Sequence, residues 1–421
     1  MQVLDRPNNS PFPAPPVARI SDHLAHRVQR EFTTRWDTLW QGRSLLHGRV
    51  PGPDAVRLNG NDYLNITGHP DIVRAQSSAL RCDGDFVIQS SVFLLDSHPS
   101  RSLEKSLARW VGKEDGLISQ SGYSANLGLL QAISDPQTPV YLDSLAHTSL
   151  WEGARRAGAP MHAFRHNDAQ HLERLIARHG PGVVVVDSVY STTGALCPLE
   201  AMVDVVERAG CMILVDESHS LGTHGPAGAG LCVQLGLSHR VHFITASLAK
   251  AFAGRAGFMT LPPEIRNYVL STSYPNMFSS CLLPHEIAGL AATLEVIQRS
   301  DAARARLSAS TLRLRQALAS LGYPIQQGTE QIIALEAGTE PATMVLRDCL
   351  EARGVFGSVF CAPATSRNRT MVRLTLHAGL AEAELAHVEA VAAEIATVVK
   401  PWDWPLARRL KNGERNTGDQ P

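Results

Sequence analysis

The chain has 421 residues, more than one compact hydrophobic core accommodates, so at least two lobes are expected. Hydrophobic residues make up 44% and charged residues 19%, an ordinary globular balance, and the formal net charge of -1 excludes both a basic nucleic-acid footprint and an acidic solvating tail. The seven cysteines are scattered without a CxxC pair, which argues against a zinc knuckle or disulfide framework and for thiols in a reducing compartment.

The N-terminus, Met1-Gln-Val-Leu-Asp-Arg, lacks the basic and apolar regions of a secretory signal. Residues 1–20, with prolines at 11, 13, 15 and 16, read as a loose arm. No apolar run approaches the roughly 18 residues of a membrane span, so the expectation is a cytoplasmic enzyme with neither a membrane nor a nucleic-acid partner. A polar helical stretch is expected up to Trp40, followed by punctuation at Gly48, Pro51, Gly52 and Pro53; arm and helix together are assigned to residues 1–60.

Across residues 61–300 short apolar runs alternate with amphipathic stretches. The runs are Pro139-Val-Tyr-Leu, Val183–Val186, Met212-Ile-Leu-Val, Val241-His-Phe-Ile and Phe258-Met-Thr-Leu, with helical patterns such as Leu172–Arg178 and Leu199–Ala209 between them. Buried β-branched runs separated by helices predict a mainly parallel sheet covered on both faces. Residues 301–400 are rich in Arg/Leu/Ala helices broken by short strands at Gln331–Glu336 and Met371–Leu376, which predicts a smaller α+β lobe. Residues 401–421 read as a polar tail, and no repeat of solenoid period is present.

Chemistry-bearing residues stand where the strands end: Asp143, Asp187, Asp216, then Ser247 and Lys250. Ligands of open α/β sheets bind at the carboxyl ends of strands, so these residues are expected to converge on one cleft. Val215-Asp216-Glu217-Ser218-His219 fits a metal pair, an acid/base pair or a cofactor clamp. A metal site wants further ligands at tight spacing, which the sequence does not supply. A pyridinium ring wants one carboxylate at its nitrogen, a role that suits Asp216. Lys250, among small residues in Thr245-Ala-Ser-Leu-Ala-Lys-Ala-Phe-Ala-Gly254, is placed for burial; desolvation lowers a lysine pKa and frees its amine for Schiff-base chemistry. A surface lysine in a glycine-rich loop is the competing reading.

Asp216-Glu-x-His219-Ser-x-Gly-x-x-Gly225 followed by Ser247-Leu-Ala-Lys250 resembles the α-oxoamine synthases, fold-type-I pyridoxal-phosphate (PLP) enzymes that join an amino acid to an acyl-CoA. The resemblance extends over nearly the whole chain, through Asn61-Asp-Tyr63-Leu, Gln120-Ser121-Gly122-Tyr123-Ser-Ala-Asn-Leu-Gly128, Leu145-Ala-His147-Thr-Ser, Asp187-Ser-Val-Tyr-Ser191, Phe278-Ser279-Ser280 and Arg373-Leu-Thr-Leu. It implies an aspartate-aminotransferase-like α/β fold, with a large mainly parallel seven-stranded domain and a smaller α+β C-terminal domain. It also implies roles. Lys250 holds PLP, Asp216 meets the ring nitrogen, His147 stacks on the ring, and His219 hydrogen-bonds its phenolic oxygen or the substrate. Ser121, Gly122, Tyr123, Ser191 and Ser247 contact the cofactor, Ser279 and Ser280 reach the phosphate of a partner subunit in a homodimer, and Arg373, Asn61 and Tyr63 bind substrate. No metal is implied.

Departures narrow the resemblance. The segment Phe86–Asp96 lacks the usual glycine run, Arg255 stands where smaller residues are frequent, and Leu380 replaces a downstream histidine. With residues 149–155, 218–226 and 354–361, these features resemble α-hydroxyketone autoinducer synthases. That implies condensation of a medium-chain acyl-CoA with 2-aminobutyrate or S-adenosylmethionine. Val87, Ile88, Val92, Phe93, Leu94 and Leu95 are candidates for the acyl-chain channel, with ordinary core packing as the alternative.

Overall fold

The computed structural model describes residues 19–81 and 88–407. The proline-rich residues 1–18, Cys82, Val87 and residues 408–421 of the tail lie outside the described residues. Contacts divide the chain into two units, residues 1–47 and 48–421. In the first, Ser21 accepts a hydrogen bond from the Leu24 N–H and so caps the helix Asp22–Glu31, which continues as a π-helical stretch over Phe32–Leu39.

Among its described residues the second unit contains twelve strands: β1 Val56–Arg57, β2 Asp115–Ser119, β3 Val140–Asp143, β4 Met161–Phe164, β5 Val183–Asp187, β6 Met212–Asp216, β7 Phe243–Ser247, β8 Gly257–Leu261, β9 Ile332–Gly338, β10 Val355–Phe356, β11 Ser358–Phe360 and β12 Thr370–Thr375. Seven form one sheet in the order β2-β8-β7-β6-β5-β3-β4, in which only β8 runs against its neighbours. The reason for the unbroken apolar runs is visible in β5. Val184 and Val186 join one core with Ile213, Val215 and Ile244, while Val183 and Val185 join a second with Leu214 and Phe243. Both faces are covered, so no polar alternation survives.

The reversal at β8 has a local cause. Only residues 248–256 separate β7 from β8, too few for the crossover that a parallel pair requires. That connection carries Lys250. It is tied tightly by Leu248 N–H to Ala256 O (2.9 Å), Gly254 N–H to Leu248 O (3.0 Å) and Ala253 N–H to Lys250 O (2.8 Å).

The C-terminal residues build an antiparallel sheet, β11-β12-β9, and a short parallel ladder pairs Val56 with Val355. The expected strands at 139–142, 183–186, 212–215, 258–261, 331–336 and 371–376 are all present within a residue or two, whereas the run at Val241 pairs only from Phe243. Two strands of the large sheet went unread. β4 is a half-exposed edge, Met161-His-Ala-Phe, and β2 is Asp115-Gly-Leu-Ile-Ser, with a glycine in the run. No helix among the described residues is long and apolar enough to cross a membrane.

Candidate active site

The ends of β5, β6 and β7, with His147 and Ser149 just beyond β3, bring polar residues around one cavity of about 210 Å³; Asp143, which closes β3 and was expected there, does not line it and instead accepts from the Leu145 and Asn167 N–H groups (2.8 Å each). It is lined by Ser121, Gly122, Tyr123, His147, Asp187, Asp216, His219, Ser247 and Lys250, all expected, and by Asn126, Ser149, Val189 and Ser218.

Asp216 closes β6 and is 4% exposed. One of its oxygens accepts from the Asn126 side-chain amide (2.7 Å), the other from the Ser218 N–H (2.8 Å). The same amide of Asn126 donates to Ser149 Oγ (2.9 Å), and Ser149 Oγ lies 2.7 Å from His147 Nδ1. A continuous chain therefore runs from the carboxylate through Asn126 and Ser149 to the imidazole. Burial, opposed by Asp216 and reinforced by Lys250, holds His147 below the ordinary histidine range. Lys250 responds likewise. Burial and then the Arg373 charge lower its pKa, while Asp216 opposes them. Its surroundings thus favour the free amine required of a nucleophile.

One wall is the start of the helix Gly122–Ile133, capped by Ser121, whose Oγ accepts from the Ser124 N–H (3.1 Å). Its first-turn amides and the absence of an acidic residue there suit an anion. The wall is set by close approach. A Cβ on Gly122 would lie 2.5 Å from Ser247 Cβ, and one on Gly257 would lie 2.0 Å from Ser121 O. Ser247 in turn is fixed by its N–H to Ser218 Oγ (2.7 Å).

The expected substrate residues Arg373, Asn61 and Tyr63 do not line the cavity. Arg373 donates through Nη1 to Ser191 O (2.8 Å) and through Nη2 to Asn61 Oδ1 (3.1 Å), and its guanidinium lies 4.5 Å from the Phe360 ring centre. Its Nε has no partner and is buried. Ser191 is held there by its carbonyl and does not line the cavity. Tyr63 hydrogen-bonds His219 Nδ1. Ser279 donates to Pro275 O, and Ser280 accepts through its carbonyl from the Gln120 side chain, so neither lines the cavity of its own chain. The apolar candidates are not core: Ile88, Phe93 and Leu95 are exposed, and none of the described members of that set lines the cavity.

PLP fits these residues. It needs an amine, a carboxylate for its ring nitrogen, a flat face and a cradle for its phosphate, and Lys250, Asp216, His147 and the Ser121–Tyr123 turn supply them in one cavity. The unpartnered, buried Asn126 Oδ1 also lies in that lining. No group of three or more metal-ligating side chains occurs among the described residues.

Comparison with known proteins agrees. The aminotransferase class I and II family profile matches residues 53–391. The CAI-1 autoinducer synthase of Vibrio campbellii is 42% identical over 92% of this chain and 96% of its own. The 8-amino-7-oxononanoate synthase of Anaeromyxobacter dehalogenans is 32% identical over 85% and 91%. The solved serine palmitoyltransferase of Sphingomonas wittichii shares the fold with a TM-score of 0.80 at 24% identity, over 90% of this chain and 98% of its own. The chain belongs to the aminotransferase class I and II family. Within it, the chain is a PLP-dependent acyltransferase of the α-oxoamine synthase type.

Sequence reasoning missed Asn126, Ser149 and Ser218 as site residues. Each lies inside a quoted motif, and the signal was periodicity: Asn126 stands one helical turn beyond Gly122 and shares its face.

Proposed function

We propose that the enzyme condenses a medium-chain acyl-CoA with a small amino donor, 2-aminobutyrate or S-adenosylmethionine, to give an α-aminoketone or enaminoketone precursor of an α-hydroxyketone autoinducer. The observation that carries this reading is the likeness to the CAI-1 autoinducer synthase, which spans nearly the full length of both chains at 42% identity.

Bound PLP supplies an electron sink for negative charge formed at the donor's α-carbon. The residues of this chain do the rest. Arg373 presents a planar fork to the donor carboxylate, oriented by Ser191 and Asn61. Lys250, desolvated and near Asp216, takes the α-proton on Nζ and later returns one. Asp216, fixed by Asn126 and Ser218, keeps a proton on the ring nitrogen. His219 donates a hydrogen bond to the oxygen on which charge develops as the thioester is attacked. CoA leaves as the thiol and carbon dioxide is lost. If S-adenosylmethionine is the donor, elimination of its sulfur group is an added step. Ser279 and Ser280 serve the phosphate of a partner's site, which makes the working unit a homodimer in the cytoplasm.

An 8-amino-7-oxononanoate synthase or 2-amino-3-ketobutyrate ligase activity is the nearest alternative, the first of them supported by the 32% identical relative. A non-catalytic scaffold subunit is a rival of another class, against which Lys250 in the cavity counts. The test is CoA-thiol release, with product mass, from a chain-length series of acyl-CoAs paired with 2-aminobutyrate, S-adenosylmethionine, glycine and alanine. Turnover with a medium chain and either of the first two supports the proposal. Exclusive use of alanine or glycine replaces it with the alternative, and no turnover at all supports the scaffold.

A further inference from the structure

Tyr63 was expected to touch substrate, yet its hydroxyl is spent inside the protein. The ring is fully buried and its O–H meets His219 Nδ1. It has no other hydrogen-bond partner among the described residues, and it does not line the cavity that His219 lines.

That pairing fixes where the protons sit. A phenol always carries a donor, whereas a neutral imidazole carries one donor and one acceptor. Were Nδ1 protonated, it would donate to the phenolic oxygen and leave the buried O–H without an acceptor, an arrangement that proteins avoid. With Nδ1 bare, the phenol donates to it and both groups are satisfied. The imidazole proton then lies on Nε2, which no described group engages.

We infer that Tyr63 is a positioning residue that sets the tautomer of His219, so that its Nε2–H is presented to the cavity as a hydrogen-bond donor. The surroundings keep both partners in the required states. Burial, then the Lys250 and Arg373 charges, hold His219 well below the ordinary histidine range, and burial raises Tyr63. The histidine is therefore neutral near physiological pH, polarising an oxygen without carrying a full charge into the desolvated site. A second contact aims the backbone: the Gln331 side-chain amide donates to His219 O (2.9 Å).

This rests on the reading of His219 as the group that meets the developing oxygen. The test joins a spectroscopic and a kinetic measurement on the holoenzyme. Imidazole 15N–1H correlation spectra of 15N-histidine protein, with the His219 signals assigned by their loss in His219→Gln, report the tautomer directly. The expected result is protonated Nε2 and bare Nδ1 in the wild type, and a mixed or reversed tautomer in Tyr63→Phe. Kinetically, Tyr63→Phe is expected to lower kcat about 10- to 100-fold with little change in KM for the amino donor, and to cost nothing further in a His219→Gln background. A wild-type Nδ1–H tautomer, an unaltered tautomer in Tyr63→Phe, or an equal loss in both backgrounds overturns the inference. A fully active His219→Gln enzyme instead overturns the catalytic role of His219, while the spectra still decide the tautomer.

Discussion

Asp187 and Asp216 stand side by side, paired in register at the ends of the neighbouring parallel strands β5 and β6, and both carboxyls are buried against one cavity. They are not equivalent. Asp216 accepts two short hydrogen bonds, whereas among the described residues Asp187 accepts only a 3.3 Å bond from the His147 N–H. Burial and then the Asp216 charge push the Asp187 carboxyl well above the usual range, against that bond. The site therefore treats its two carboxyls differently: Asp216 is held by two hydrogen-bond donors, whereas burial beside Asp216 favours the protonated form of Asp187.

A pH signature follows from that difference. The folded Asp187 holds its proton more tightly than the unfolded chain does. Its contribution to stability is complete below the ordinary aspartate value, about pH 4, and is lost as pH rises through the folded value. Asp187→Asn lacks this loss, so its Tm relative to wild type should climb between acid and neutral pH in the cofactor-free protein. Parallel Tm curves, measured by calorimetry, would show that Asp187 is already ionised.

The glycine wall makes a steric prediction. Gly122→Ala places a methyl 2.5 Å from Ser247 Cβ and 2.7 Å from Ser247 Cα, with strand backbone behind them. Overpacking of this kind costs about 1–3 kcal/mol, and here it falls on the helix start that would cradle the phosphate. PLP affinity, read by absorbance titration, should fall about 5- to 100-fold while the fold persists.

Arg373 and Lys are not interchangeable at this position. Arg373→Lys keeps a positive charge but cannot hold Ser191 O and Asn61 Oδ1 together in a planar fork. The KM for the amino donor should rise about 10-fold or more, with the KM for acyl-CoA unchanged. Equal rises in both would place Arg373 outside the donor subsite.

Much of this geometry is legible in the sequence because the buried strands announce themselves. Val183–Val186 and Met212–Val215 have no polar break, and the residue after each run lands in the cavity. Lys250 is legible less from its small neighbours, which fit a surface loop equally well, than from its place in Ser247-Leu-Ala-Lys250 after a buried strand. What stayed hidden depends on contacts between distant residues. Tyr63 reads as a substrate contact until His219, far along the chain, is found to take its hydroxyl. β4 stayed hidden because an edge strand is half-exposed and carries no apolar run. Phe93 and Leu95 misled in the opposite sense: an apolar run suggested burial, but these side chains stand exposed beside the short turn Ser91–Phe93.

The proposed chemistry depends first on Lys250 being the amine that holds PLP. The most direct measurement is borohydride reduction of the purified holoenzyme, followed by peptide mapping, with the visible absorption spectrum recorded before and after. Loss of the visible band and a pyridoxyl group on the peptide carrying Lys250 alone are expected. A label on another lysine, or no cofactor band to begin with, would contradict that role for Lys250.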